Sequence, residues 1–180
     1  MTAELRTKTS IEDAIIDWIE EVFPSGMAIL AWPDAPRPKL PYVSAQIIGI
    51  APIGMDDYGA VDLDTGYQVV YGDRLVTVSI NAFGTGAIDK IRTLMNSISK
   101  ETIKDSLIAN GLCPQNPGPL NDLTGFLETE PEERAHFDMM FGIKDLDTDN
   151  VGVIEHVSGN GTIIAETGEY ILISFSADLS

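Results

Sequence analysis

Two stretches of this chain alternate apolar and polar residues strictly enough to predict half-buried β-strands. In Leu75–Phe83, Val76, Val78, Ile80 and Ala82 alternate with Thr77, Ser79 and Asn81. In Arg134–Ile143, Ala135, Phe137, Met139, Phe141 and Ile143 take one parity, and Arg134, His136 and Asp138 the other. Successive side chains of a strand project to opposite faces. Each segment therefore has one apolar face that must be covered and one polar face that need not be.

The cover is legible in three amphipathic stretches. Ile11, Ile15, Trp18, Ile19 and Val22 share one helical face over residues 10–23, with Ser10 expected as N-cap and Pro24-Ser25-Gly26 as the stop. Ile88, Ile91, Leu94, Met95 and Ile98 form a second stripe after Gly84-Thr85-Gly86. Ser99 is expected to cap a third helix, carrying Ile103, Leu107 and Ile108 and ending at Asn110-Gly111.

Further strands are predicted at Met27–Trp32 and Tyr42–Ala51, with β-rich segments at Val151–Val157 and Ile163–Phe175 and a turn at Glu166-Thr167-Gly168-Glu169. Residues 52–66 read as a loop or loose hairpin tip. Tyr67–Tyr71 reads as a strand interrupted at Gly72-Asp73, Pro114–Leu120 as an irregular loop, and 121–131 is ambiguous. Strands come in runs and helices cluster, which predicts an α+β fold: a mixed, mostly antiparallel sheet with helices packed on one face. The expected organisation is a flexible N-terminus at 1–9, a single α+β domain at 10–158 and a C-terminal β extension at 159–180.

The charge excludes some functions. With 28 acidic against 11 basic residues in 180, the net charge is −17, which argues against a protein that grips phosphates. The acids are spread along the chain, so an acidic surface or lumen is expected. The single cysteine, Cys113, gives no disulfide framework and points to cytosolic folding. It has no His or basic neighbour to activate it. No N-terminal apolar run suggests a signal peptide, and none approaches the roughly 18 residues of a membrane span.

Candidate chemistry is sparse. Asp145, Asp147 and Asp149 start like a calcium loop, but Asn150 and His156 stand where an EF-hand needs Gly and Glu, with Glu155 one residue early. An exposed acidic turn between strands is the expected structure there. Asp56-Asp57 and Asp62-Leu63-Asp64 are paired carboxylates without a nearby His or Cys. His136 and His156 are too far apart for a recognisable metal motif, and His136 is expected to pair structurally between Arg134 and Asp138. Gly84-Thr85-Gly86 lacks the phosphate-loop pattern, and Lys90 is misplaced for one. No catalytic residue, metal ligand or cofactor site is assigned, and the chain is not expected to be an enzyme.

One further stretch is a proline-braced lead-in to a strand: Ala35-Pro36-Arg37-Pro38-Lys39-Leu40-Pro41-Tyr42-Val43. Three prolines within six residues exclude helix. Together with Val78-Ser79-Ile80-Asn81-Ala82-Phe83-Gly84, Gly111-Leu112 and Glu132-Glu133-Arg134-Ala135-His136-Phe137-Asp138, in this order and spacing, it resembles the bacteriophage neck/tail terminator (tail completion) proteins. The resemblance covers most of 10–158 and tends to finish near Ile154-Glu155-His156-Val157, leaving 160–180 as an added hairpin. It implies a structural virion protein at the neck, the head-proximal end of the tail, assembled in the host cytoplasm. It further implies a homo-oligomeric ring, usually a hexamer, that ends the tail tube and, in a contractile tail, meets the sheath protein. That ring would join a head-tail connector or adaptor protein. DNA would pass through its lumen without specific binding, no membrane would be involved, and no catalytic residues are implied. Two alternatives stand beside it: another tail, baseplate or connector component, and a small acidic metal-dependent enzyme.

Overall fold

The apolar faces read from the sequence meet in one core. The computed structural model describes residues 8–24, 26–31, 38–127, 130–154, 156–164 and 170–178. In chain order its elements are α1 (Lys8–Val22), β1 (Ala28–Leu30), β2 (Tyr42–Pro52), β3 (Asp57–Val61) and β4 (Tyr67–Phe83). Then come α2 (Ala87–Ser97), α3 (Glu101–Ala109), β5 (Cys113–Pro114), β6 (Asn121–Asp122), β7 (Gly125–Leu127) and β8 (Glu130–Glu132). The chain continues through β9 (Arg134–Asn150), β10 (His156–Ile164) and β11 (Tyr170–Asp178). The fold is α+β, as its alternating and helical periodicities require.

The main sheet runs β1-β2-β4-β9-β5, with β3 added on β4 and β6 on β9. β1 lies parallel to β2, while β2/β4, β5/β9 and β6/β9 are antiparallel. In the β2/β4 register Val43 faces Ala82 and Ala45 faces Ile80, so these four share one side of the sheet. The same side carries Val76, Val78, Ala135, Phe137, Met139, Phe141 and Ile143, all buried. Ile11, Ile15, Trp18 and Ile19 of α1, Ile91 and Leu94 of α2 and Ile103 and Leu107 of α3 close over it. All three helices thus pack on one face.

The chain divides into two compact units. The first, Met1–Asp57 with Val70–Asp147, contains this whole core among its described residues. In the second, Tyr58–Val69 with Thr148–Ser180, β10 and β11 form a two-stranded antiparallel sheet of their own, paired from His156↔Asp178 to Ile164↔Tyr170. Nearby in that unit, the N–H groups of Val151 and Gly152 both donate to Gly66 O at 3.1 Å. Among the described residues no helix is long and apolar enough to cross a membrane.

Local expectations are corrected in several places. α1 begins at Lys8, so Ser10 lies inside the first turn rather than capping it. α3 is preceded by Lys100 in extended geometry, not by Ser99, because the turn after α2 continues through Ser99 N–H to Asn96 O. Its far end closes as expected: Gly111 N–H reaches Ile108 O and Leu112 N–H reaches Leu107 O, with Gly111 at φ 70°. β4 is unbroken at Gly72-Asp73, where Asp73 O accepts from Ile53 N–H at 2.8 Å. Residues 52–66 contain β3, and 151–154 form no strand. The acidic run at Asp145–Asp149 lies within β9 and is not a turn. Residues 32–37, with most of the proline segment, Glu155 and the expected 166–169 turn lie outside the described residues.

Candidate functional site

The sheet face opposite the helices carries a ladder of polar and aromatic side chains, buried at Tyr42 and Ser44 and more open at Gln46 and Arg134. Alternation places Tyr42, Ser44 and Gln46 of β2 beside Phe83, Asn81 and Ser79 of β4. β9 adds Arg134, His136 and Asp138 on the same side. Contacts run in opposite chain directions along β4 and β9, from Gly84 N–H on Glu133 O to Arg74 near Asp145.

The ladder is aromatic and cationic at one end. Tyr42 stacks on Phe83 with ring centroids 4.7 Å apart, and the Arg134 guanidinium lies 5.1 Å from the centre of the Phe83 ring. Arg134 Nη2 also donates to Asn81 Oδ1 at 3.0 Å, which fixes its plane. Farther along, His136 Nε2 is 3.1 Å from Ser79 Oγ and 3.0 Å from Asp138 Oδ1. One ring nitrogen faces both groups. A nucleophile–base–orienter relay needs the two nitrogens to serve different partners, so this trio is a polar clasp between strands. The pairing of His136 with Asp138 is the one its strand parity suggests.

A second cluster centres on Arg74. Its guanidinium donates to both oxygens of Asp56, at 2.6 and 2.9 Å, and its Nε lies 3.7 Å from Asp145 Oδ2. The bidentate hydrogen bonds, aided by the guanidinium's charge, hold the Asp56 carboxyl below the ordinary carboxylate range. The guanidinium lies across Gly72: a Cβ there would come within 2.2 Å of Nη1. Gly72 is therefore a seat for Arg74 rather than a strand breaker. Asp145, first of the calcium-like run, is thereby committed to an arginine.

The remaining sequence candidates are structural in their contacts. Gly86, at φ 75°, is the N-cap of α2, and its N–H donates to Glu133 Oε2 at 2.7 Å. A protein carboxylate thus occupies the position an anion would take at that helix start. Lys90 Nζ donates to Thr85 O. Asp62 accepts from the Thr65 hydroxyl and from Asp64 N–H, which lowers its pKa and closes the turn before β4. Asp57 opens β3, His156 opens β10, and Cys113 is exposed on β5. Among the described residues no three His, Cys, Asp or Glu side chains converge as round a metal ion. Sequence reasoning missed the Glu133 cap and the Arg74 cluster. The only signal for either was an acid beside a strand end.

Compared with known families, residues 9–167 match the model described as phage neck terminator protein. Among solved structures, one similar chain is the sheath/tube terminator of an extracellular contractile injection system, PVC, determined by cryo-electron microscopy in the extended state. It is 14% identical with a TM-score of 0.45, and the match covers 91% of this chain and 66% of that one. This chain thus spans just under two thirds of that chain's length. A search among curated proteins returns no match.

Proposed function

The chain belongs to the phage neck terminator family, and from that premise we propose that it forms a homo-oligomeric ring, a hexamer, at the head-proximal end of a phage tail. The ring stops growth of the tail tube, meets the sheath protein where the tail is contractile, and joins the head-tail connector or adaptor. Its role is structural, with no catalytic residue, metal or cofactor. The terminator domain is residues 10–158, and 159–180 are a β extension.

The observation that carries this reading is the extent of the family match, which runs from α1 through the whole helix-covered sheet. The charge supports it independently. DNA leaving a head must slide through the ring, and a chain of net charge −17 offers phosphates a repulsive wall. The half-exposed ladder of Arg134, His136 and Asp138 is a polar, specific surface suited to docking another virion protein.

The test is the assembled mass of the purified chain, alone and mixed with tail tubes. A closed ring of about six chains, capping the tubes in electron micrographs, is expected. A chain that stays monomeric and leaves tubes uncapped would overturn the reading.

A further inference from the structure

The chain contains two Asn-Gly pairs, Asn110-Gly111 and Asn160-Gly161. Asparagine before glycine is prone to lose its side-chain amide, because no Cβ on the glycine shields its backbone nitrogen or restrains its turn toward the side chain. The reaction requires that nitrogen to reach the asparagine Cγ. Both asparagines are exposed, so access of water does not separate the two pairs. The backbone around them does.

Asn110-Gly111 is locked. Asn110 N–H and Nδ2 both donate to Ser106 O at 3.1 Å, and Gly111 N–H donates to Ile108 O at 2.8 Å. Leu112 N–H then reaches Leu107 O at 2.9 Å, and these two leucines lie in the core, 0% and 2% exposed. Turning Gly111 N toward Asn110 Cγ would break the C-terminal cap of α3 and draw both leucines with it. Asn160-Gly161 has no such lock. It lies in the middle of β10, opposite Ser174 and Ile173, in a sheet of two strands. The buried core cluster contains no described residue of β10 or β11. A two-stranded sheet is marginally stable alone in water, so its pairs open locally at small cost. A Cβ built on Gly161 meets nothing within 4 Å, so the chain has room to turn there.

We propose that Asn160-Gly161 is a site of spontaneous deamidation in the folded protein, and that Asn110-Gly111 is protected. Gly161 N gives its proton to solvent base and bonds to Asn160 Cγ. The Cγ–Nδ2 bond breaks and ammonia leaves, closing a cyclic imide. Water then opens the imide at either carbonyl. One opening leaves an aspartyl residue, the other an isoaspartyl residue whose main chain runs through Cγ. Amide and water become carboxylate and ammonium, and nothing is oxidised or reduced. Either product puts a carboxylate into a strand whose residues 156–164 contain no Asp, Glu, Lys or Arg. The isoaspartyl product also lengthens the main chain by a methylene, so Gly161–Ile164 lose their register with Tyr170–Ile173.

The experiment ages the purified full chain in mildly alkaline buffer and follows both pairs by peptide mass spectrometry, with isoaspartyl methyltransferase labelling to identify the product. In native buffer the peptide holding Asn160 should convert at least roughly tenfold faster than the one holding Asn110. In denaturant the two rates should converge, because the same dipeptide is then equally free in both places. Gly161→Ala, whose Cβ meets no neighbour, should slow conversion at Asn160 and leave Asn110 unchanged. A smaller native ratio, no conversion at Asn160 under conditions that convert the unfolded chain, or an undiminished rate in Gly161→Ala would each overturn the proposal.

Discussion

Trp18 and Ser97, 79 residues apart, meet in the core: the indole Nε1–H donates to Ser97 Oγ at 3.0 Å, and both residues are buried. Ser97 Oγ–H donates in turn to Leu94 O at 2.6 Å, and the indole meets Phe141 edge-on at 5.8 Å. This one contact ties α1 to α2 over the sheet. Trp18→Ala is expected to cost about 3–5 kcal/mol, and Ser97→Ala, which orphans a buried N–H, about 1–3 kcal/mol. Chemical denaturation measures both. The double variant should lose less than the sum, because the two share the bond.

The Arg74–Asp56 pair predicts a pH signature. The Asp56 pKa is lowered on folding by its hydrogen bonds to Arg74. The folded state then binds its proton less readily than the unfolded one, so the pair stabilises above the usual carboxylate value of about 3.9 and this contribution fades as pH falls below it. Asp56→Asn should flatten the acid limb of Tm against pH and leave its shape above neutrality unchanged. Gly72→Ala should do the same by unseating Arg74, and the two changes together should add little to either one.

Glu133 caps α2 from across the fold, 47 residues away. Glu133→Ala is expected to lower stability by roughly 0.5–2 kcal/mol, as loss of an N-cap acceptor does. Glu133→Gln, which keeps an acceptor oxygen but no charge, should fall between. Equal melting curves for all three proteins would remove the cap from the account.

How much of this was legible in the sequence depends on range. The parity of Val76–Ala82 and Ala135–Ile143 and the stripe of Ile11–Ile19 were readable, because burial acts with the periodicity of the local backbone. The unbroken β4 was not, because Gly72 seats a guanidinium two residues on and Asp73 O accepts a hydrogen bond from Ile53 N–H, just past β2. Ser10 and Ser99 have capping chemistry, yet the backbone turns elsewhere. The carboxylate that does cap α2 comes from Glu133, and nothing local to residues 84–86 announces it. The run from Asp145 resembled a cation loop until Arg74, distant in sequence, paired with its first member. The polar ladder was half legible: parity put Arg134, His136 and Asp138 on one face, while Ser79 and Asn81 became their partners only through sheet order.

The acidic balance predicts that the free protein gives no gel shift with duplex DNA at micromolar concentration and physiological salt. A shift that weakens as salt is added would expose a basic patch and contradict the repulsive lumen.

Whether this chain ends a phage tail is tested most directly by electron microscopy of particles assembled without it. Such particles should carry tails of abnormal length, or tails that fail to join heads, with both defects repaired when the intact chain is restored. Tails of normal length, joined to heads in infectious particles that lack the chain, would contradict it.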